Sequence, residues 1–304
     1  MRFRLLIAAM IALLPVPALA WDDYGHMVVA AIAWQKLDAP APERVAALLP
    51  LNPDYPKWVS GVADADKAET AFIRAATWPD AIKGEAGYTN DGETPNGSDA
   101  ARNIGYADKL QHRYWHYIDL PFSPDGTPVQ QPAAPNAQTQ ITSFRTVLAS
   151  NASDDIKSYD LVWLEHLVGD IHQPLHATSR FTHDLPNGDQ GGNLVKITCS
   201  PSCPRSLHAY WDDVLGKSES VDEARTEAAH LLRTPMDVGT GTEADWVRES
   251  FEEAQRTVYA APVGVGSGTF ALDAAYEANA KKVAENCVEL AGLRLGSVLN
   301  QALK

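Results

Sequence analysis

The segment 163–176 contains the most informative group of potential metal ligands in the sequence. His166 and Asp170 are four residues apart in a predicted helix, so their side chains lie on one helical face and can bind one metal ion. Pro174 ends that helix, because proline cannot continue it. His176 therefore leaves in a different direction, and we expect it to reach a second ion close by.

A second pair follows downstream, where His208 and Asp212 are again four residues apart on a predicted helix. Together with His176 they make a three-ligand set, which is typical of open, catalytic zinc sites. Upstream, Asp80 and His116 each lie among bulky aromatic residues. An ionised carboxylate or an unpaired imidazole is costly to bury there without a partner. We expect both residues to contribute to the first site.

The first 20 residues have the pattern of a signal peptide. Two arginines precede an apolar run at 5–14, and small residues occupy positions 18 and 20. Cleavage after position 20 would give an exported protein, periplasmic or secreted, that begins at Trp21. Other apolar stretches are interrupted by charges before they reach the roughly 20 residues of a membrane span, so we expect no membrane insertion.

Cleavage would also give Trp21 a free α-amino group. Its unperturbed pKa of about 8 is low enough for a metal to displace the proton. The amine and the carbonyl oxygen of Trp21 can then chelate one ion together. His26 lies five residues further on and can reach the same ion if the terminus folds inward. The alternative is an ordinary frayed terminus.

Structural roles compete with these interpretations, because a single buried histidine is more often hydrogen-bonded in a core than bound to a metal. Five histidines each have an aspartate or aromatic residue nearby, and this favours metal binding for the set as a whole. They are His26, His116, His166, His176 and His208. We assign structural roles to the other four, His112, His172, His183 and His230.

The charge of the chain restricts how it can bind a polyanion. The formal net charge is −14, and removal of two arginines with the signal peptide makes it −16. Such an acidic chain is a poor candidate for binding nucleic acid through a basic face. Three doubly charged metal ions would add six positive charges locally and attract phosphate in place of lysine and arginine.

Hydrophobic periodicity predicts an all-α protein, a single-domain helical bundle over residues 21–304 with at most a small β-hairpin. The predicted helices are 27–37, 41–49, 63–76, 139–150, 159–172, 207–215, 221–232, 245–260 and 270–299. Residues 193–198 alternate as in a strand. Two stretches rich in Gly, Pro, Asn and Asp, 84–108 and 121–138, predict long surface loops of the kind that line a site.

The chain has three cysteines. Cys199 and Cys203 are close enough in sequence to close a small loop, and an oxidising compartment favours a disulfide between them. Their four-residue step is a poor match to the paired cysteines of a structural zinc site. Cys287 has no evident partner in the sequence.

Taken in order, the motifs resemble those of the S1/P1 nuclease family. The matching positions are Trp21, Gly25-His26, Trp78-Pro79-Asp80, His116-Tyr117-Ile118-Asp119, the segment from His166 to His176, Gly191-Gly192-Asn193, and Leu207-His208 with Asp212. The resemblance implies a helical fold of the phospholipase C and P1 nuclease type, with three zinc ions in one cleft. No motif beyond about residue 220 contributes to it.

The resemblance also implies how the metal ligands are divided. One zinc ion would bind Asp80, His116, His166 and Asp170, a close neighbour would bind Trp21, His26 and the shared Asp170, and the third would bind His176, His208 and Asp212. Catalysis would then depend on Asp80, Asp170 and Lys83. Lys83 stands near the position where family members often carry arginine, and it lacks the bidentate fork that arginine offers to phosphate.

For the substrate, the resemblance implies single-stranded DNA, RNA and 3′-nucleotides, cleaved by zinc-activated water to 5′-phosphorylated products. Tyr117 would stack on a base, while Asp119 and Asn193 would offer hydrogen bonds to its edge. Stacking on an aromatic ring contributes ~1–3 kcal/mol and tolerates any base. We expect a monomer with no obligate protein partner.

Two other functions remain open at this point. A zinc phospholipase C would have a similar fold and metal site, but the short spacing from Trp21 to His26 and the aspartate at Asp212 favour a nuclease. A metal-buffering protein without turnover would also need many histidines and aspartates. That function would leave the aromatic and glycine-rich motifs unexplained.

Overall fold

The computed structural model describes residues 21–304 apart from positions 235, 237 and 240. The predicted signal peptide, residues 1–20, lies outside the described residues. Helices dominate the described part of the chain and confirm the all-α prediction. In chain order they are α1 (Asp23–Trp34), α2 (Ala41–Leu48), α3 (Tyr55–Trp58), α4 (Lys67–Ala75), α5 (Trp78–Ala81), α6 (Ala137–Leu148), α7 (Asp154–Asp170), α8 (Leu207–Asp212), α9 (Val221–Leu231), α10 (Glu243–Glu253) and α11 (Ala274–Ala302).

Helix α7 is the centre of the molecule, and it packs against α1, α5, α6 and α11. Asp154 and Asp155 occupy its first turn, where carboxylates interact favourably with the positive end of the helix dipole. From Ser158 to Asp170 every residue is buried. A helix that is buried on all sides belongs in a core, and the ligand pair at its C-terminal end is therefore shielded from water.

Helix α1 lies against α11 at very short range. The side chain of Asp22 accepts a hydrogen bond from Gly25 N at 3.2 Å and so caps the start of α1. On α11, a Cβ at Gly292 would lie 2.5 Å from Ile32 Cβ, closer than two carbon atoms can approach. The absence of a side chain at Gly292 therefore permits the crossing that holds α1, and with it His26, in place.

The β structure differs from the predicted hairpin. The described strands form two parallel pairs of three residues each. One pair is β1 (Leu120–Phe122) with β2 (Thr178–Arg180), and the other is β3 (Lys196–Thr198) with β4 (Thr269–Ala271). Each pair joins segments that are distant in sequence, which is why a local hairpin pattern could not predict them.

Tertiary pairing and capping move several predicted boundaries. The segment Thr269–Ala271 pairs with β3 instead of starting the last helix, and Asp273 caps α11 by accepting a hydrogen bond from Tyr276 N. The predicted helix 245–260 is α10 followed by a π-helical turn, Ala254–Val258. These shifts change element ends and leave the order of helices as predicted.

The predicted disulfide and the predicted loop at 84–108 are confirmed. Cys199 and Cys203 form a disulfide with their Cα atoms 5.6 Å apart, and Cys287 is a free cysteine. The loop 84–108 carries only short 3₁₀ turns among the described residues. No described helix is both long and apolar enough to cross a bilayer.

A buried histidine anchors the loop 84–108. The ring of His112 stacks on Trp115 with 3.5 Å between centroids, and its two nitrogens lie 3.3 Å from Asp91 and 3.2 Å from Asp108. Burial alone lowers the pKa of His112, but the two carboxylates outweigh it and raise the pKa above 6.5. The same pairing lowers the pKa of both aspartates against the effect of burial. A structural role for His112 fits this geometry.

We predict that the His112→Gln substitution destabilises the protein in a pH-dependent way. The contribution of His112 to the free energy of unfolding is complete below its unfolded pKa of 6.5 and is lost as pH rises through its higher folded pKa. The contribution of the aspartates is lost as pH falls below 3.8. Urea denaturation near pH 5.5 should therefore show the largest loss, roughly 3 kcal/mol for a broken buried ion pair. A constant difference from pH 5 to pH 9 would contradict this role.

Candidate metal centre and adjoining cavity

Asp170, the last residue of α7, faces histidines on both sides of its carboxylate. Its Oδ1 lies 3.3 Å from His26 Nε2, while its Oδ2 lies 3.0 Å from His116 Nδ1 and 3.3 Å from His166 Nε2. The two oxygens thus belong to two different groups of potential ligands. A carboxylate with this placement can bridge two ions.

Asp80 completes the group around Oδ2. Its Oδ1 lies 3.7 Å from both His116 Nδ1 and His166 Nε2, and those two ring nitrogens are only 2.9 Å apart. The Nζ of Lys83 bonds the same Oδ1 of Asp80 at 2.6 Å. All five side chains are buried or nearly so, because α5, α7 and the turn at 113–116 converge here. The predicted first site is therefore assembled in three dimensions.

The second predicted pair, His208 and Asp212, lies close to His176. His176 Nε2 and His208 Nε2 are 3.1 Å apart, and Asp212 Oδ2 lies 3.6 Å from His208 Nε2. Gln173 donates a hydrogen bond to Asp212 Oδ1 at 2.7 Å and accepts one from Leu175 N, so it orients the carboxylate. Across the described residues, three groups of His and Asp side chains have ligand atoms within 4.8 Å of one another.

Backbone carbonyls fix the orientation of three of these imidazole rings. The Nδ1 atoms donate to carbonyl oxygens, from His166 to Ala76 at 2.7 Å, from His176 to His116 at 2.8 Å, and from His208 to Gly191 at 2.6 Å. A carbonyl oxygen can only accept, so each Nδ1 carries the proton. Each Nε2 is therefore left with its lone pair directed into the group, as metal-binding histidines require.

Burial shifts the protonation of the site towards neutral groups. It lowers the pKa of His116, His166 and His176 well below 6.5, which favours unprotonated rings that can bind a metal. It raises the pKa of Asp170 to about 7 and raises that of Asp212 well above 3.8. A bound cation is the partner that would let both carboxylates ionise at neutral pH.

Unsatisfied polar atoms support a metal site. Both ring nitrogens of His26, the Nε2 of His116 and the Oδ1 of Asp170 are buried without a hydrogen-bond partner among the described residues. Leaving such atoms unpaired costs about 1–3 kcal/mol each. The donor set of imidazole nitrogens and carboxylate oxygens suits a divalent metal. The residues present therefore fit metal ions.

Trp21 lies next to the bridging carboxylate. Its side chain is fully buried, and its Nε1 donates to Gly169 O at 3.1 Å, one residue before Asp170. The following residue, Asp22, donates its backbone N–H to Asp212 O at 3.2 Å. The backbone of Trp21 is thus held between the C-terminal turn of α7 and α8.

A cavity of about 310 Å³ opens beside the third group. Tyr117, Asp119 and Asn193 line it, together with Gln190 and the ligand candidate His208. Its volume matches small-ligand sites, which begin near 300 Å³. The three predicted substrate-binding residues therefore lie in one cavity that reaches a metal group.

The cavity walls are tied to the rest of the fold. The hydroxyl of Tyr117 donates to the carbonyl of Glu93, so the loop 84–108 covers one side of the tyrosine ring. Asn193 Nδ2 donates to Gln190 O at 2.9 Å on the opposite wall. Burial, followed by the charge of Asp189, raises the pKa of Asp119 to about 7. The cavity therefore offers an aromatic face beside polar groups.

Some positions near the site had no sequence pattern of their own. Gln173 orients Asp212, and Asp189 and Gln190 lie in the turn that carries Asn193. The only available indication was their position beside the ligand motifs.

His166 belongs to two neighbouring groups of potential ligands. It lies with His26 and Asp170 in one group and with Asp80 and His116 in the other. None of the three groups contains a histidine to which we assigned a structural role, namely His112, His172, His183 or His230.

Comparisons with known proteins agree with this geometry. A family model described as S1/P1 Nuclease matches residues 21–304. Endonuclease 2 of Arabidopsis thaliana is 24% identical over 202 residues, covering 66% of this chain and 58% of that protein. Endonuclease 4 is 26% identical and Endonuclease 3 is 27% identical, with 57% and 56% of their lengths covered. The chain thus spans less than two thirds of these curated relatives.

We predict that Gly169→Ala weakens metal binding although alanine favours helices. A Cβ at position 169 would lie 2.9 Å from His26 Nδ1, so the His26 ring must move away from Asp170. Metal affinity of that group should fall about 10-fold or more, by analogy with loss of ligand orientation. Competition with a metal-binding dye measures it. Gly87→Ala is the matched control, since nothing lies within 4 Å of its added Cβ, and equal affinities in both variants would contradict the prediction.

Proposed function

The chain belongs to the S1/P1 nuclease family, and from that premise we propose that it is a zinc-dependent nuclease. It hydrolyses phosphodiester bonds of single-stranded DNA and RNA to 5′-phosphorylated products and also acts as a 3′-nucleotidase. The observation that carries the proposal is the set of three buried His and Asp groups beside one open cavity. The proposal extends to zinc because tetrahedral sites of imidazole and carboxylate ligands suit that ion.

In the proposed enzyme, Asp170 would be shared by two ions. Asp80, His116 and His166 would hold one with it, and His26 and the backbone of Trp21 would hold the other. His176, His208 and Asp212 would hold the third ion. The support for this division is that the carboxylate oxygens of Asp170 face different histidines at 3.0–3.3 Å.

The side chains around the proposed metal ions have different roles in the reaction. Bound zinc supplies a water of lowered pKa and neutralises charge on the phosphate. Asp170 and Asp80 would hold the ions that activate this water, and both carboxylates are buried where α5 and α7 carry them. Lys83, hydrogen-bonded to Asp80 at 2.6 Å, brings a positive charge to the same place. Its single ammonium group gives less directional contact with phosphate than a guanidinium.

Substrate selection follows from the cavity. Tyr117 stacks on a base, while Asp119 and Asn193 hydrogen-bond to the base edge. A duplex hides both base faces, so we expect single strands and 3′-nucleotides to be the preferred substrates. The acidic chain attracts the phosphate through its metal ions, because its own lysines and arginines are outnumbered by acidic residues, 25 to 39.

The proposal includes export and processing. Cleavage of the predicted signal peptide frees the amine of Trp21 and delivers a periplasmic or secreted enzyme. The buried position of Trp21 beside Gly169 supports a terminus that folds into the site. We propose a monomer that needs no protein partner, since every predicted ligand comes from one chain.

The experiment that tests the function uses protein that begins at Trp21. Elemental analysis should find about three zinc ions per chain, matching the three ligand groups. Single-stranded DNA and RNA should release 5′-nucleotides, EDTA should stop the reaction, and added zinc should restore it. Cleavage of phosphatidylcholine without cleavage of nucleic acid would reassign the chain as a phospholipase C. Zinc binding without any turnover would make it a metal-buffering protein.

A second test concerns the stacking surface. We predict that Tyr117→Ala raises KM for single-stranded DNA about 5- to 150-fold, because loss of one stacked base costs ~1–3 kcal/mol. Zinc content should not change, since Tyr117 belongs to none of the ligand groups. Tyr117→Phe is the matched control, because it removes the hydroxyl bonded to Glu93 and keeps the ring. Equal KM values for the alanine and phenylalanine variants would rule out stacking.

A further inference from the structure

A buried polar cluster lies behind the cavity wall, outside the metal ligands. The carboxylate of Asp189 is fully buried. Its Oδ1 accepts hydrogen bonds from Arg180 N at 2.9 Å and Gly192 N at 3.1 Å, and its Oδ2 accepts one from the Tyr259 hydroxyl at 2.8 Å. The guanidinium of Arg180 lies 3.4 Å from the same Oδ2. Such a fully engaged carboxylate is a strong local anchor.

The cluster joins β2 and the turn that follows it to a distant part of the chain. Arg180 ends β2, Asp189 begins the turn before β3, and Tyr259 follows α10 and its π-helical turn. Arg180 also donates to Gly264 O at 2.8 Å and lies over the Tyr259 ring at 4.5 Å. The region beyond residue 220, which carries no recognisable sequence motif, therefore contacts the site through Tyr259.

The turn that Asp189 anchors, residues 189–194, is conformationally demanding. Gln190, Gly191 and Gly192 all have positive φ, at 54°, 59° and 82°. A side chain at Gly191 would place its Cβ 2.5 Å from Leu175 O. A glutamine in this left-handed region is strained, so the surrounding contacts must impose the conformation. The Oδ1 of Asp189 does so by accepting hydrogen bonds from Gly192 N within the turn and from Arg180 N in β2.

The same turn carries groups that the proposed enzyme needs. Gly191 O accepts the Nδ1 proton of His208 at 2.6 Å and so directs His208 Nε2 towards its metal group. Gln190 and Asn193 line the cavity. Displacing the turn would therefore change a metal ligand and the substrate wall together.

We propose that Asp189, held by Arg180 and Tyr259, is a positioning residue for both the His208 metal group and the polar wall of the cavity. This inference rests on the proposed function. Asp189 touches neither metal ligand atoms nor substrate, and it acts through the turn 189–194. Groups that hold a histidine ligand in this indirect way change metal affinity or activity about 10- to 100-fold when they are lost.

The test compares two buried tyrosine hydroxyls. Tyr259→Phe removes the bond to Asp189, and Tyr106→Phe removes a bond to Ser158 at 2.9 Å on the other side of the core. In Tyr259→Phe we expect one of about three zinc ions to bind about 10-fold or more weakly in dye competition. We also expect KM for single-stranded DNA to rise severalfold. Neither quantity should move in Tyr106→Phe, although both substitutions remove a hydrogen bond and should lower the melting temperature.

A second variant keeps the test decisive if one substitution proves too mild. Asp189→Asn retains the shape and the acceptor oxygen but removes the charge opposite Arg180, and it should reproduce both effects. Unchanged zinc affinity and KM in both variants would overturn the proposal and leave the cluster as scaffold only. Zinc affinity is measured without turnover, so it tests the positioning role independently of the activity. If the wild-type protein binds zinc but cleaves no substrate, the proposed function is wrong. The zinc affinities of the variants then still test the role of Asp189.

Discussion

An ionised carboxylate at the buried C-terminal end of a helix destabilises the folded protein unless a positive charge lies beside it. Asp170 is fully buried, and it ends α7, where the helix dipole is negative. Burying such a charge without a partner costs far more than a hydrogen bond returns. In the proposed enzyme two metal ions meet this requirement, one at each carboxylate oxygen.

The fold supplies ligands from rigid elements and substrate contacts from loops. His26 comes from α1, His166 and Asp170 from α7, and His208 and Asp212 from α8. Backbone carbonyls hold the rings of His166, His176 and His208 and direct each Nε2 towards its group of ligands. The cavity wall comes instead from the loops around Tyr117 and Asn193, which is where binding residues commonly lie in proteins.

Helical spacing explains how much the sequence could predict. The four-residue step places His166 beside Asp170, and His208 beside Asp212, before any tertiary structure is considered. Other features join segments that are distant in sequence. They are the parallel strand pairs, the two ligand groups that both contain His166, and the contact of Tyr259 with Asp189. Periodicity holds no information about such pairings. They depend on packing, which is why the sequence beyond about residue 220 carries no motif that indicates a contact with the site.

The most direct measurement is anomalous X-ray diffraction at the zinc edge on crystals of protein that begins at Trp21. The account predicts three zinc peaks, one on each side of the Asp170 carboxylate and one among His176, His208 and Asp212. The peak nearest His26 should also contact the amine of Trp21. A single peak, or a metal-free Asp170 with the other ions in place, would contradict the claim that this carboxylate bridges two ions.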